Sequence, residues 1–154
     1  MVQKTIIANY GDPDLGKTES ILMVYDILCK VADSAPYVLR APSTFGGDMC
    51  AVVTINGIKV GISSHGDVKN VIKKCIDDLI HQGCRIILTS CHSTHDMIKF
   101  IKSYAPAYRI WRTSNARIFE EATHPRVAPK LIRSRFNEQW ATEIANMIES
   151  WCYT

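Results

Sequence analysis

Eight residues near the amino end, Gly11-Asp12-Pro13-Asp14-Leu15-Gly16-Lys17-Thr18, carry the most specific chemical signal in this sequence. Two glycines separated by four residues, followed at once by a lysine and a hydroxyl residue, suit the task of holding a row of phosphates. The glycines let the backbone curl so that successive amides point inward at phosphate oxygens. The amino end of a following helix adds partial positive charge. Lys17 would then reach the β- and γ-phosphates, and the Thr18 hydroxyl would bind Mg²⁺. The competing reading is a plain strand-to-helix turn with a glycine at each end. Asp12 and Asp14 are out of keeping with an anion site, so their carboxylates must point away from it.

Such a motif needs a strand before it and a helix after it. The run KTIIANY (4–10) is apolar and β-rich, and from Lys17 to about Asp33 the residues Ile21, Leu22, Tyr25, Leu28 and Val31 recur at helical spacing. With both flanks present, residues 4 to about 33 resemble the P-loop NTPase superfamily. Beyond that stretch only the alternation of elements is shared, and no family within the superfamily is singled out. The resemblance implies nucleotide contacts from Gly11, Asp12, Pro13, Asp14, Leu15, Gly16, Lys17, Thr18 and Glu19, with ATP and Mg²⁺ as cofactors. It also implies a second acid at the end of another strand, holding Mg²⁺ directly or through water. Asp67, in VGISSHGD, is the nearest candidate for that acid. Its rival role is an N-cap on the helix beginning at Val68, and one residue can do both. Asp48, in FGGDM, is a weaker candidate, as metal ligand, as base or as a plain loop carboxylate. The hairpin at 50–63 is placed like the switch region of small GTP-binding proteins. It leads, however, into Ser63-Ser64-His65-Gly66 without the Asp-x-x-Gly aspartate, and no guanine-reading motif follows. ATP is therefore expected ahead of GTP.

Six of the eight arginines, Arg109, Arg112, Arg117, Arg126, Arg133 and Arg135, fall between residues 109 and 135. Phosphoryl transfer needs cations over the β–γ bridge, and small kinases supply them from an arginine-bearing lid. Arg126 and Arg133 are the candidate catalytic cations of such a lid. The same run also suits a solvated basic face, or contact with nucleic acid helped by Lys130, Trp111 and Phe136. The nucleic-acid reading is disfavoured by a net charge of only +3, and because Trp111 reads as a core strand residue. His65 and His92 fall at strand ends, where a histidine can orient water, sense a γ-phosphate or simply brace a loop. A Cys91–His92 nucleophile is disfavoured, since adjacent residues diverge along an extended chain. Six cysteines without a Cys-x-x-Cys pair or a secretory signal are expected to be buried, reduced thiols. The spacing of Cys84, Cys91, His92 and His95 matches no familiar zinc module.

The elements that must position these groups follow from periodicity. Asn56-Gly57, between two β-branched runs, predicts a hairpin with strands at 50–55 and 58–63. Val68, Val71, Ile72, Cys75, Ile76, Leu79 and Ile80 predict a helix, with Gly83 placed to end it. A buried strand is expected at 84–90, a helix at 94–104, a last strand at 107–113 and a C-terminal helix lined by Phe136, Trp140, Ile144, Met147, Ile148 and Trp151. The stretches 36–48 and 114–132 read as loops, the first with room for one extended piece and the second for a short helical piece. Strand–helix alternation over 154 residues implies one α/β domain. Its three-layer, mainly parallel sheet would be P-loop NTPase-like, with an antiparallel hairpin near residues 50–63. Ligands on such sheets bind at the carboxyl ends of the strands, which gathers Gly11 to Thr18, Ser63 to Asp67, Ser90 to His92 and Arg112 to Ser114 on one rim.

With 47% apolar and 21% charged residues, the chain has the balance of a globular protein. No apolar run reaches membrane-spanning length, and the amino end is too quickly polar for a signal peptide. A cytoplasmic protein without a membrane partner is expected. Its expected activity is Mg²⁺-dependent ATP hydrolysis or γ-phosphate transfer to a small acceptor, and slow turnover is expected because no general base is evident. The alternative is a nucleotide-dependent regulatory module acting through a protein partner, or in association with DNA. An oligomer is compatible with either, since many P-loop proteins receive an arginine from a neighbouring subunit.

Overall fold

The computed structural model describes residues 2–11, 17–41, 48–65, 68–115 and 130–154, with the side chains of 130–133 outside the description. Within these, the chain runs β1 (Thr5–Tyr10), α1 (Lys17–Lys30), β2 (Tyr37–Arg40), β3 (Cys50–Ile55), β4 (Ile58–Ser63), α2 (Lys69–His81), β5 (Ile86–Cys91), α3 (His95–Lys102), β6 (Arg109–Thr113) and α4 (Lys130–Cys152). The strands form one six-stranded sheet in the order β2-β3-β4-β5-β1-β6. β4, β5, β1 and β6 pair in parallel, whereas β2–β3 and β3–β4 are antiparallel.

Side chains alternate across a strand, so each central strand feeds two cores. Ile7 of β1 packs with Ile21, Val24 and Leu28 of α1 and with Ile144 and Ile148 of α4. Its neighbours Ile6 and Ala8 face the other way, toward Ile72, Ile76 and Leu79 of α2 and Met97 and Ile101 of α3. The result is helix–sheet–helix layering, and it explains why every residue of β1 and β5 is buried. Continuous apolar runs are what strands covered on both faces require.

The Asn-Gly hairpin forms with the expected strand bounds. Asn56 and Gly57 take φ of 49° and 76°, the left-handed pair that a tight two-residue hairpin needs. Asp33 clasps this turn, its carboxylate accepting from the Asn56 amide at 3.0 Å and the Gly57 amide at 2.9 Å. The Asn56 side chain donates to the Cys152 carbonyl at 2.9 Å, tying the turn to the end of α4.

Several expectations shift. The antiparallel part of the sheet extends beyond the hairpin, because β2 adds a further edge strand against β3. α1 ends at Lys30 rather than near Asp33, and α4 has already begun at Lys130, inside the stretch read as loop. The N-cap position of α2 belongs to Val68, without a side-chain cap, and the helix starts at Lys69. Asp67, the expected N-cap, lies outside the described residues. Gly83, with φ of 87°, follows the Gln82 C-cap and closes α2 as expected. Trp111 is no core residue: β6 is the sheet edge, and the indole is 40% exposed. It packs edge-on against Trp151, with the Arg109 guanidinium over both rings. Among the described residues, no helix is long and apolar enough to cross a membrane.

Candidate functional site

β1 and β5 end side by side, with Asn9 opposite Ser90 and Tyr10 opposite Cys91. The Cys91 carbonyl accepts from the Gly11 amide at 3.2 Å, extending the pairing one step past the strands. Lys17, the first residue of α1, folds back over this junction. Its ammonium donates to the Gly11 carbonyl at 2.7 Å and to the Cys91 carbonyl at 3.3 Å, and the side chain is buried. A buried ammonium needs such acceptors. Both carbonyls belong to the ends of β1 and β5, so the ammonium is placed at the rim.

Thr18, one residue on, faces a different partner. Its hydroxyl lies 3.3 Å from Oδ1 of Asp48. Asp48 gets there because β3 is antiparallel to β4, so the amino end of β3 lies beside the carboxyl end of β4. The register sets Cys50 opposite Ser63. Beyond it the Ser64 amide donates to the Met49 carbonyl at 2.9 Å, and Ser64 Oγ accepts from the Met49 amide at 2.7 Å. These bonds carry the pairing onward and fix the chain on both sides of the carboxylate. Ser64 Oγ also lies 3.4 Å from Asp48 Oδ1, and His65 Nδ1 lies 3.4 Å from Asp48 Oδ2. Thr18, Asp48, Ser64 and His65 thus form one cluster at the rim.

The donor set of Thr18, Asp48 and Ser64 consists of hard oxygens, the kind Mg²⁺ selects. Adjacent ligands of an octahedral Mg²⁺ are about 2.9 Å apart, given its bond length of about 2.1 Å. The 3.3 Å between Thr18 Oγ1 and Asp48 Oδ1 is close enough to that edge for the residues present to fit the ion. Among the described residues, no three of His, Cys, Asp and Glu come together as a metal cluster. Cys84 precedes β5 and Cys91 ends it, so the length of the strand, about 16 Å at strand rise, stands between them.

Behind the rim lies a second buried arrangement. Asn9, at the end of β1, donates from Nδ2 to Asn115 Oδ1 at 3.1 Å and accepts the Asn115 amide at 3.1 Å. Asn115 in turn donates to Asn137 Oδ1 of α4 at 2.8 Å. All three asparagines are buried, so β1, the chain after β6 and α4 are joined through one amide chain. Tyr10 closes the same corner. Burial pushes its phenol up to about 12, the nearby Cys91 thiol adds to the shift, and Arg112 opposes it. The Arg112 guanidinium stands 5.0 Å from the Tyr10 ring centroid and is itself exposed.

Of the residues expected to do chemistry, Gly11, Lys17 and Thr18 meet at this rim. Glu19 is exposed in the first turn of α1, where its charge complements the helix amino end. Asp12 to Gly16, Gly66, Asp67, Arg117, Arg126 and the side chain of Arg133 lie outside the described residues. Arg109 lies at the far end of β6 from the rim, and Arg135 is exposed on α4. Cys91 is fully buried, and burial pushes its thiol up to about 12, which argues against a nucleophilic role. Comparison with family models, with curated proteins and with solved structures returned no match.

Proposed function

We propose that this chain binds a nucleoside triphosphate with Mg²⁺, preferring ATP, and either hydrolyses it or passes its γ-phosphate to a small acceptor. The observation that carries this reading is the pairing at the start of α1. A buried, carbonyl-held ammonium and a hydroxyl facing a carboxylate occupy consecutive positions, at the carboxyl ends of parallel strands. On this reading the Lys17 ammonium exchanges its carbonyl partners for phosphate oxygens, adding charge that follows the negative build-up during transfer. Thr18 would hold the ion with a carboxylate nearby, and Mg²⁺ would neutralise the β- and γ-oxygens. Arg112, exposed at the same rim, is the described arginine best placed to approach the phosphates. The expected contacts of Asp12 to Gly16, Asp67, Arg126 and Arg133 belong to the same proposal.

Calorimetric titration with ATP and GTP in the presence of Mg²⁺ tests it, on wild type, Lys17→Ala and Thr18→Ala. Wild type is expected to bind ATP more tightly than GTP. Lys17→Ala should lose binding, and Thr18→Ala should lose the Mg²⁺-dependent part. Folded wild type that binds neither nucleotide would overturn the proposal. If binding holds, phosphate release by the protein alone marks an ATPase and release only with an acceptor marks a kinase. Release only with a protein or DNA partner marks a nucleotide-dependent module.

A further inference from the structure

Resting on that reading, the geometry around β3 and β4 points to the acid and its support. We propose that Asp48 is the carboxylate of the metal site and that His65 is its positioning residue. The His65 imidazole, with Nδ1 3.4 Å from Oδ2, holds that oxygen and so keeps Oδ1 turned toward the Thr18 hydroxyl.

The two oxygens of Asp48 have distinct surroundings. Oδ1 faces the hydroxyls of Thr18 and Ser64, while Oδ2 faces the imidazole. The Asp48 side chain is 29% exposed and that of His65 only 9%. The carboxylate therefore sits where a hydrated ion can reach it, with the histidine on its protein side. A carboxylate can rotate about its single bonds, and its affinity for a metal depends on outer partners that stop it from doing so. Ligating carboxylates are themselves held by outer partners, and an imidazole beside the oxygen away from the metal can serve as one. Asp48 precedes β3 and His65 follows β4, so the hairpin register itself brings them together. Neither residue follows the sequence pattern of an acid closing a parallel strand.

The test uses Mn²⁺ as a paramagnetic stand-in. Its affinity for the complex with a non-hydrolysable ATP analogue is read by electron paramagnetic resonance, for wild type, Asp48→Asn, His65→Asn, His65→Gln and His65→Ala. Asparagine places an amide donor near the position of Nδ1, whereas glutamine places it near Nε2. Asp48→Asn, His65→Gln and His65→Ala are each expected to weaken Mn²⁺ binding by about 10-fold or more, the usual range for lost metal support. His65→Asn should stay close to wild type. Equal losses in the asparagine and glutamine variants would overturn the positioning role, and so would no loss in either. Unchanged Mn²⁺ affinity in Asp48→Asn would overturn the assignment of the acid. If His65→Ala fails to fold, the asparagine–glutamine contrast still decides. Wild type that binds the analogue, with Mn²⁺ affinity unchanged in Asp48→Asn, defeats this inference alone. Wild type that does not bind the analogue at all defeats the phosphate reading beneath it.

Discussion

Adjacent side chains divide the labour at the start of α1: Lys17 reaches back to the ends of β1 and β5, and Thr18 reaches across to the chain before β3. Behind them, Asn115 holds two buried partners at once. Asn115→Ala would strand the Asn9 amide and the Asn137 carbonyl, and each buried group left unsatisfied costs about 1–3 kcal/mol. The variant should lose about 2 kcal/mol or more of stability in urea unfolding, whereas a neutral outcome would mean the amide chain is not the link it looks to be. Legibility at this scale was uneven. The spacing of Gly11, Gly16, Lys17 and Thr18 is local, so it can be read from one window of sequence. Asp48 lies 30 residues from Thr18, and nothing in FGGDM announces which partner it will meet. The asparagine chain was equally hidden, since Asn9 and Asn115 are 106 positions apart and Asn is more often a turn residue than a buried one.

At the scale of elements, β4 and α2 approach each other closely because Gly61 has no side chain. A β-carbon there would lie 3.0 Å from both Leu79 methyl carbons and 3.1 Å from the Cys84 sulfur. Leu79 is fully buried, so it has little room to withdraw. Gly61→Ala should therefore destabilise by about 1–3 kcal/mol, the usual cost of overpacking, seen as a lower denaturation midpoint with an unchanged denaturant slope. An unchanged midpoint would show that the helix can slide. The hairpin, α2, α3 and the buried strands were readable because their apolar periods and turn residues are local and strong. The edges were not. β2 has four residues and mostly exposed side chains, so it lacks the buried face that makes a strand visible in sequence. Trp111 looked like core because tryptophan usually is, but the strand order leaves β6 with a neighbour on one side only. That correction removes one objection to nucleic-acid contact without supplying a reason for it.

Taken as a whole, the molecule hides its thiols. Five of the six cysteines are buried, and Cys29 is the partly exposed exception. Burial pushes Cys84 and Cys91 up to about 12 from the ordinary 9.0, and Tyr10 up to about 12 from 10.0. The folded state thus holds these protons more tightly than the unfolded chain does. Their contribution is complete below pH 9 and is lost as pH climbs toward 12, with Tyr10 joining above pH 10. Each thiol should add about 1.4 kcal/mol of destabilisation per pH unit inside that window. Urea midpoints should fall steeply between pH 9 and 10.5, with a shallower fall in Cys84→Ala. A midpoint indifferent to alkali would show that the thiols are not enclosed. The hairpin has a larger consequence. It behaves as a pair of tongs: the grip is the Asn56–Gly57 bend, locked by Asp33 and by the end of α4, and the two tips carry Asp48 and His65. A single-residue slip between the arms would turn every side chain to the opposite face and part the tips at the far end. The spacing of a few atoms at the rim is thus set by a bend eight residues away along each arm.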